Sequence, residues 1–185
     1  MSADLRAQAY ALRSLIGDIT TLTARDLVGL YDEYGDDWGQ VLPVMWPQTV
    51  RPYAALAAQV TTHWYDQLLP ESSYRARAFV DLPDERFSKS LDWALNAPGE
   101  ATPLDRLCGS SQRMVADASR QTVVGNAFIE KVRWQRVASP DACNWCQALT
   151  NFGRTDYLSE DTAVASHDNC RCTAVPVRSV SAWKP

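Results

Sequence analysis

The stretch Cys143-Asn144-Trp145-Cys146, followed after twenty residues by His167-Asp168-Asn169-Cys170-Arg171-Cys172, decides how the C-terminal part of this chain folds. A Cys-x-x-Cys pair turns the backbone so that two sulfurs face one point, and His167 and Cys170 repeat the same spacing. A closed set of thiolate and imidazole ligands is typical of structural zinc. The sequence therefore predicts one zinc site, with ligands Cys143, Cys146, His167 and Cys170.

The identity of the fourth ligand has an alternative, because Cys172 lies two residues after Cys170. Side chains at these two positions share a face in an extended segment, so Cys172 is either the alternate ligand or a packed thiol. Two other interpretations of the cluster are buried cysteines without a metal and a redox Cys-x-x-Cys. The redox interpretation is disfavoured because no obvious βαβ unit precedes the motif, and because a nearby His and Cys would capture a metal.

The distribution of the cysteines also favours metal binding over disulfides. Four of the five cysteines fall within residues 143–172. The chain begins without a basic segment followed by an apolar core, so we expect the protein to be made and kept in a cytosol, where thiols stay reduced. No apolar stretch approaches the roughly 20 residues of a membrane span. The fifth cysteine, Cys108, is expected to be a small buried hydrophobe in a helix.

Residues 1–130 show the apolar periodicity of a helical body. Thr23-Ala24-Arg25-Asp26 resembles a capping box and predicts a helix boundary after the apolar stripe Leu5, Leu12, Leu15, Ile16 and Ile19. Pro47 and Pro52 predict that the following helix starts at Tyr53 and ends before Pro70. Two later helices are expected, the first opened by Pro83-Asp84-Glu85 and ended at Asn96-Ala97-Pro98-Gly99, and the second running from Pro103 to about Glu130.

The pattern changes near residue 131. Val132, Trp134 and Arg136-Val137 alternate in a way that suits a strand, and the apolar tail Cys172–Val177 predicts a second strand. We therefore expect an α+β chain, with a mainly helical body at 1–130 and a small zinc-stapled α+β module at 131–185. Roughly fifty residues bury too little apolar surface to fold firmly alone, whereas zinc can contribute on the order of 10 kcal/mol.

The C-terminal motifs resemble a known family. They run from Trp134 through Cys143-x-x-Cys146-Gln147-Ala148-Leu149 to Ser166-His167-Asp168-Asn169-Cys170-Arg171-Cys172-Thr173-Ala174-Val175-Pro176-Val177. Residues 130–178 resemble the C-terminal module of MuF-like minor head proteins of tailed bacteriophages, from which Asn151-Phe152-Gly153-Arg154 departs by replacing the usual turn. Family members that end in His-x-x-Cys-Arg-Ser favour Cys170 over Cys172 as the fourth ligand.

The resemblance implies a structural minor capsid protein that acts in head morphogenesis. Such a protein would be associated with the portal or other head proteins inside the virion head, and possibly with packaged DNA. It would be present in low copy or as a portal-matched oligomer, and would aid head assembly, genome packaging or ejection.

Two other classes of function compete with this expectation. A capsid maturation protease or nuclease needs a base, but the chain has two histidines, His63 and His167, and the second is committed to the metal. The carboxylates Asp156, Glu160 and Asp161 are too scattered to form a nuclease site. We therefore expect no enzymatic activity.

A DNA-binding zinc module is the other alternative. The net charge of −4 argues against a protein that mainly coats nucleic acid. A local basic surface could still be formed by Arg113, Arg120, Lys131, Arg133 and Arg136, and a solvated face is the expected role of these residues. The tryptophans of the helical body are expected to be core residues or interface anchors, namely Trp38, Trp46, Trp64 and Trp93.

Overall fold

The computed structural model describes residues 3–68, 70–151 and 167–177. Helices α1 (Ala3–Tyr34), α2 (Trp38–Gln67), α3 (Asp84–Asn96) and α4 (Pro103–Ile129) are followed by strand β1 (Arg133–Val137), helix α5 (Asn144–Asn151) and strand β2 (Thr173–Val177), with a short 3-10 helix at Gly35–Asp37 between α1 and α2. The predicted mainly helical α+β class is confirmed. No described helix is both long enough and apolar enough to cross a membrane.

Some predictions concern residues outside the described part of the chain. These are the departure from the family turn at Phe152-Gly153-Arg154, the scattered carboxylates Asp156, Glu160 and Asp161, and Ser166, which precedes the ligand His167.

Helix α1 runs without a break through the boundary predicted at Thr23, so that prediction is wrong. The Thr23 side chain is buried and donates its hydroxyl to the carbonyl of Ile19 at 2.8 Å, one turn earlier. A threonine can thus satisfy its hydroxyl inside a helix instead of capping a new one. The buried apolar stripe continues past it through Leu27 and Leu30, which keeps α1 in one piece.

Helix α2 begins at Trp38 instead of Tyr53, because it continues through Pro43, Pro47 and Pro52. Each proline removes a donor from the helix and crowds the carbonyl four residues earlier. The helix persists because its buried side chains anchor it: the Trp46 indole N–H donates to the Ser111 hydroxyl at 2.8 Å. The Trp46 ring also meets the Phe87 ring edge-on, with centroids 5.2 Å apart. Tertiary packing therefore outweighs the local preference.

Helices α3 and α4 begin and end where local signals predict. Thr102 caps α4: its hydroxyl accepts the Asp105 N–H at 3.1 Å, and the Asp105 carboxylate accepts the Thr102 N–H at 3.0 Å. Two glycines inside α4 let neighbours approach closely. A Cβ on Gly125 would lie 2.8 Å from the Phe79 ring, and one on Gly109 would lie 3.1 Å from the Asp168 Cβ. Helix α4 also packs against each of the other three long helices and against both strands.

The two predicted strands form an antiparallel pair, in a register that runs from Arg133 opposite Val177 to Val137 opposite Thr173. Their apolar side chains belong to the same cluster as the buried residues of α1, α2 and α4, and comprise Trp134, Val137, Ala174 and Val175. One apolar cluster thus includes residues on both sides of position 130. The division into units at 1–130 and 131–185 stays a prediction.

Candidate metal centre

The four predicted ligands converge where α5 begins and where a loop leads into β2. The His167 Nε2 lies 3.0 Å from the Cys143 Sγ and 3.3 Å from the Cys146 Sγ. The Cys146 Sγ lies 3.6 Å from the Cys170 Sγ. The fold therefore brings these side chains together from two segments of the chain, and their assignment as ligands stays a prediction.

These separations fit a tetrahedral ion of the size of zinc. The three separations are close to the about 3.5–3.8 Å between neighbouring ligand atoms of tetrahedral zinc, whose bonds are about 2.3 Å to sulfur and 2.0–2.1 Å to nitrogen. Cys170 does not lie in the same compact set as Cys143 and His167, so its side chain would have to move towards them to complete one four-ligand site. Two overlapping sets of three side chains could hold a metal ion, one formed by Cys143, Cys146 and His167, the other by Cys146, Cys170 and Cys172. Cys146 belongs to both sets, so it is the central residue of the cluster.

The imidazole of His167 is oriented by its own backbone neighbour. Its Nδ1 lies 2.7 Å from the carbonyl oxygen of Asp168, which accepts the N–H on that side and leaves Nε2 facing the sulfurs. Metal-bound histidines are commonly oriented in this way by a hydrogen bond to the other ring nitrogen. The same hydrogen bond raises the pKa of His167, against the opposing effect of burial. The half-exposed Trp145 meets the His167 ring edge-on at 5.9 Å.

The pKa values of the Cys143 and Cys146 thiols are shifted in opposite directions. The backbone N–H of Cys146 donates to the sulfur of Cys143 and lowers the pKa of that exposed thiol to about 7. Burial raises the pKa of the Cys146 thiol to about 11. A metal ion must therefore displace a proton from Cys146, whereas Cys143 is already close to the thiolate form that binds metals.

The pKa values of the neighbouring thiols Cys170 and Cys172 are shifted in opposite directions. The hydrogen bond from Cys172 lowers the pKa of the Cys170 thiol to about 4, and the charges of Arg120 and Arg136 add to this effect. Donating that hydrogen bond raises the pKa of the Cys172 thiol. The directions of these two pKa shifts favour Cys170 over Cys172 as the fourth ligand.

Two arginines that were expected on the surface are buried beside the cysteines. Arg120 and Arg136 are 2% and 1% exposed, so the solvated basic face expected for them is wrong. The Arg136 Nη2 donates to the Cys170 Sγ at 3.5 Å, and the Arg120 Nη1 donates to the Cys172 carbonyl at 2.8 Å. Arg120 is itself paired with the buried Asp117 at 2.6 Å, which also pairs with Arg86. A signal for Arg136 exists in the sequence, since it lies close to the apolar residues Trp134 and Val137 in a predicted strand.

The other residues singled out in the sequence lie away from the cluster or in the core. His63 is exposed on α2. Cys108 is half-buried against the core, and burial raises the pKa of its thiol. Trp46 and Trp64 are core residues, whereas Trp93 is 46% exposed and lies under the Arg106 guanidinium.

Comparisons with known proteins were made for the whole chain. No curated protein and no solved structure matches it. The model of the VG15 protein family matches residues 4–185, which include both the helices and the cysteine cluster. The chain therefore belongs to the VG15 protein family, a family of virion-associated bacteriophage proteins.

Proposed function

We propose that this phage protein is a MuF-like minor capsid protein, held together by structural zinc and associated with the portal inside the head of a tailed phage. Its family supports the association with phage. The resemblance of residues 130–178 to the MuF-like module supports the narrower assignment. The observation that carries the proposal is the convergence of three cysteines and one histidine from two segments of the chain.

The proposed metal is zinc, because of the chemistry of its ligands. Thiolate and imidazole ligands in a tetrahedral set select zinc over magnesium or calcium, which prefer oxygen ligands. Four protein ligands leave no position for a reactive water, so the role is structural. The ion would tie the start of α5 to the loop that enters β2.

We further propose that the protein has no hydrolytic activity. His167 is committed to the metal, and His63 stands exposed on α2. A nucleophile needs a base within hydrogen-bonding reach, which a metal-bound imidazole cannot supply. Purified protein should leave the capsid protein uncut on incubation. Cleavage that disappears in the variant His63→Ala would contradict this proposal.

The proposed partners are the portal or other head proteins, with the helices supplying the contacts. Exposed apolar and aromatic side chains on α1, α3 and α4 are available for protein contacts, and include Tyr10, Tyr31, Trp93 and Phe128. Aromatic residues are enriched at the energetic centres of interfaces. The burial of Arg120 and Arg136 removes two of the five expected basic surface residues, which weighs against binding led by DNA phosphates.

Binding of the full-length protein to portal and to double-stranded DNA, each at 50 and 200 mM salt, tests the partner. Portal binding should weaken only mildly with salt, whereas phosphate-led DNA binding falls on the order of 10³-fold over this range. Trp93→Ala should weaken portal binding more than Val80→Ala, a matched variant at another exposed apolar position. Steeply salt-sensitive DNA binding without portal binding would favour the DNA-binding zinc module instead.

The location has its own test. Intact particles should contain the protein in low copy or in the copy number of the portal, and it should co-purify with the portal after mild disruption. Its absence from purified particles would contradict a place inside the head.

A further inference from the structure

The loop that carries His167 and Cys170 is attached to the helices through the residues between its ligands. The Asp168 carboxylate accepts a hydrogen bond from the Ser110 hydroxyl of α4 at 3.3 Å and pairs with the Arg113 guanidinium at 3.3 Å. The absence of a side chain at Gly109 lets Asp168 approach the helix. One side of the ligand loop is therefore seated directly on α4.

A single side chain of α1, Arg13, contacts two segments of the chain that lie next to the ligand pairs. Its Nε donates to the carbonyl of Arg171 at 3.0 Å, and Arg171 lies between Cys170 and Cys172. Its Nη2 donates to the carbonyls of Ala138 at 3.0 Å and Val137 at 3.3 Å, at the end of β1. That segment leads directly to the first ligand pair. The planar fork of one guanidinium thus spans the two segments that must meet at the metal.

Close packing does not hold the loop against α1. A cavity of about 550 Å³ lies between α1, α4 and the loop, and it is lined on α1 by small side chains such as Ser14, Gly17 and Thr21. Arg13 and Arg120 both line this cavity, and each donates to a carbonyl of the loop. Across this cavity, the hydrogen bonds of the two arginines connect the loop to both α1 and α4.

We propose that Arg13 is a positioning residue of the metal centre. It binds no metal itself, but it holds the carbonyls of Arg171, Val137 and Ala138 on one rigid group and so sets the distance between the two ligand pairs. Residues that orient ligands commonly change metal affinity by about 10- to 100-fold when they are replaced. This inference rests on the proposed zinc site.

The test is the zinc affinity of the full-length protein, measured by competition with a chromophoric chelator. Arg13→Gln should bind zinc about 10-fold more weakly or worse than the wild type. Arg13→Lys should show an intermediate loss, because an ammonium keeps the charge but cannot bridge two segments as a planar fork does. Arg6→Gln, on an exposed position of the same helix, is the matched control and should bind as the wild type does.

The visible absorption of Co²⁺ bound in place of zinc supplies a second readout, since it reports the geometry of the ligands. It should change in Arg13→Gln and stay unchanged in Arg6→Gln. Equal zinc affinity, within about 2-fold, together with an unchanged Co²⁺ spectrum in Arg13→Gln would overturn the role of Arg13. If Arg13→Gln does not fold, the same comparison on Arg13→Lys decides. A wild type that binds no zinc would overturn the zinc site as well, so the two failures are distinguishable.

Discussion

The four long helices and the cysteine cluster are stabilised by different means. The helices bury large apolar side chains, such as Leu12, Leu42 and Trp46, each of which contributes about 1.5–3 kcal/mol by leaving water. In the described part of the chain, the buried sulfurs of the cluster have the partly buried Ala138 and Ala142 as their apolar neighbours. So little apolar surface cannot stabilise the two segments that carry the predicted ligands, and we expect a bound metal to stabilise them instead. Damage to the two regions should therefore have different consequences.

The largest effect is expected from Cys146→Ser, because Cys146 belongs to both sets of metal-binding side chains. The variant should lose the metal, and with it binding free energy on the order of 10 kcal/mol. Circular dichroism should show that α1–α4 persist, while amide hydrogen exchange in α5 and in residues 167–172 becomes faster.

Cys108→Ser is the matched control, since Cys108 is half-buried and lies outside both sets. It should keep the metal. A full metal content in Cys146→Ser would contradict the cluster as a metal site.

A smaller but global effect is expected from Trp46→Ala. This fully buried side chain packs against Phe87 and donates to Ser111, so its loss should lower the free energy of unfolding by about 3–5 kcal/mol. Below its lowered thermal midpoint, the variant should still bind as much metal as the wild type. Metal loss from a folded Trp46→Ala variant would show that the two regions are not stabilised separately.

The smallest effect distinguishes Cys170 from Cys172. Because the hydrogen bond between the two thiols lowers the pKa of Cys170 and raises that of Cys172, Cys172→Ser should keep the metal and change stability by only about 1 kcal/mol. Cys170→Ser should lose it. The S-to-Co²⁺ charge-transfer absorption of the two variants measures this directly, and the opposite pattern would make Cys172 the fourth ligand.

Local chemistry was sufficient to predict α3, α4 and both strands. The caps at Pro83 and Thr102 act within a few residues, so their consequences can be found in the sequence itself. The continuity of α1 through Thr23 and of α2 through Pro52 depends on packing against distant helices, which local signals do not contain. The buried face of α2 depends on the same packing: Leu56 is exposed, whereas the small residues Ala54, Ala57 and Ala58 are buried in the core.

The candidate site shows the same division. The spacing of the cysteines and His167 predicted which side chains would meet, because each ligand pair is local. The contacts of the arginines with the ligand loop could not be predicted from local spacing. Arg120 reaches the carbonyl of Cys172 across 52 positions of sequence, and Arg13 reaches Arg171 across 158. Only the packing of α1 and α4 against the ligand loop brings them there.

The central claim is that a bound metal stabilises the segments that carry the cysteines and His167. Its most direct test is elemental analysis of the full-length protein, freshly reduced and purified without chelator. The geometry of the cluster predicts about one equivalent of zinc per chain, and its removal by a strong chelator should speed up amide hydrogen exchange in α5 and in residues 167–172. Less than about a tenth of an equivalent, or hydrogen exchange in these two segments that is unchanged by complete removal of the zinc, would contradict this account.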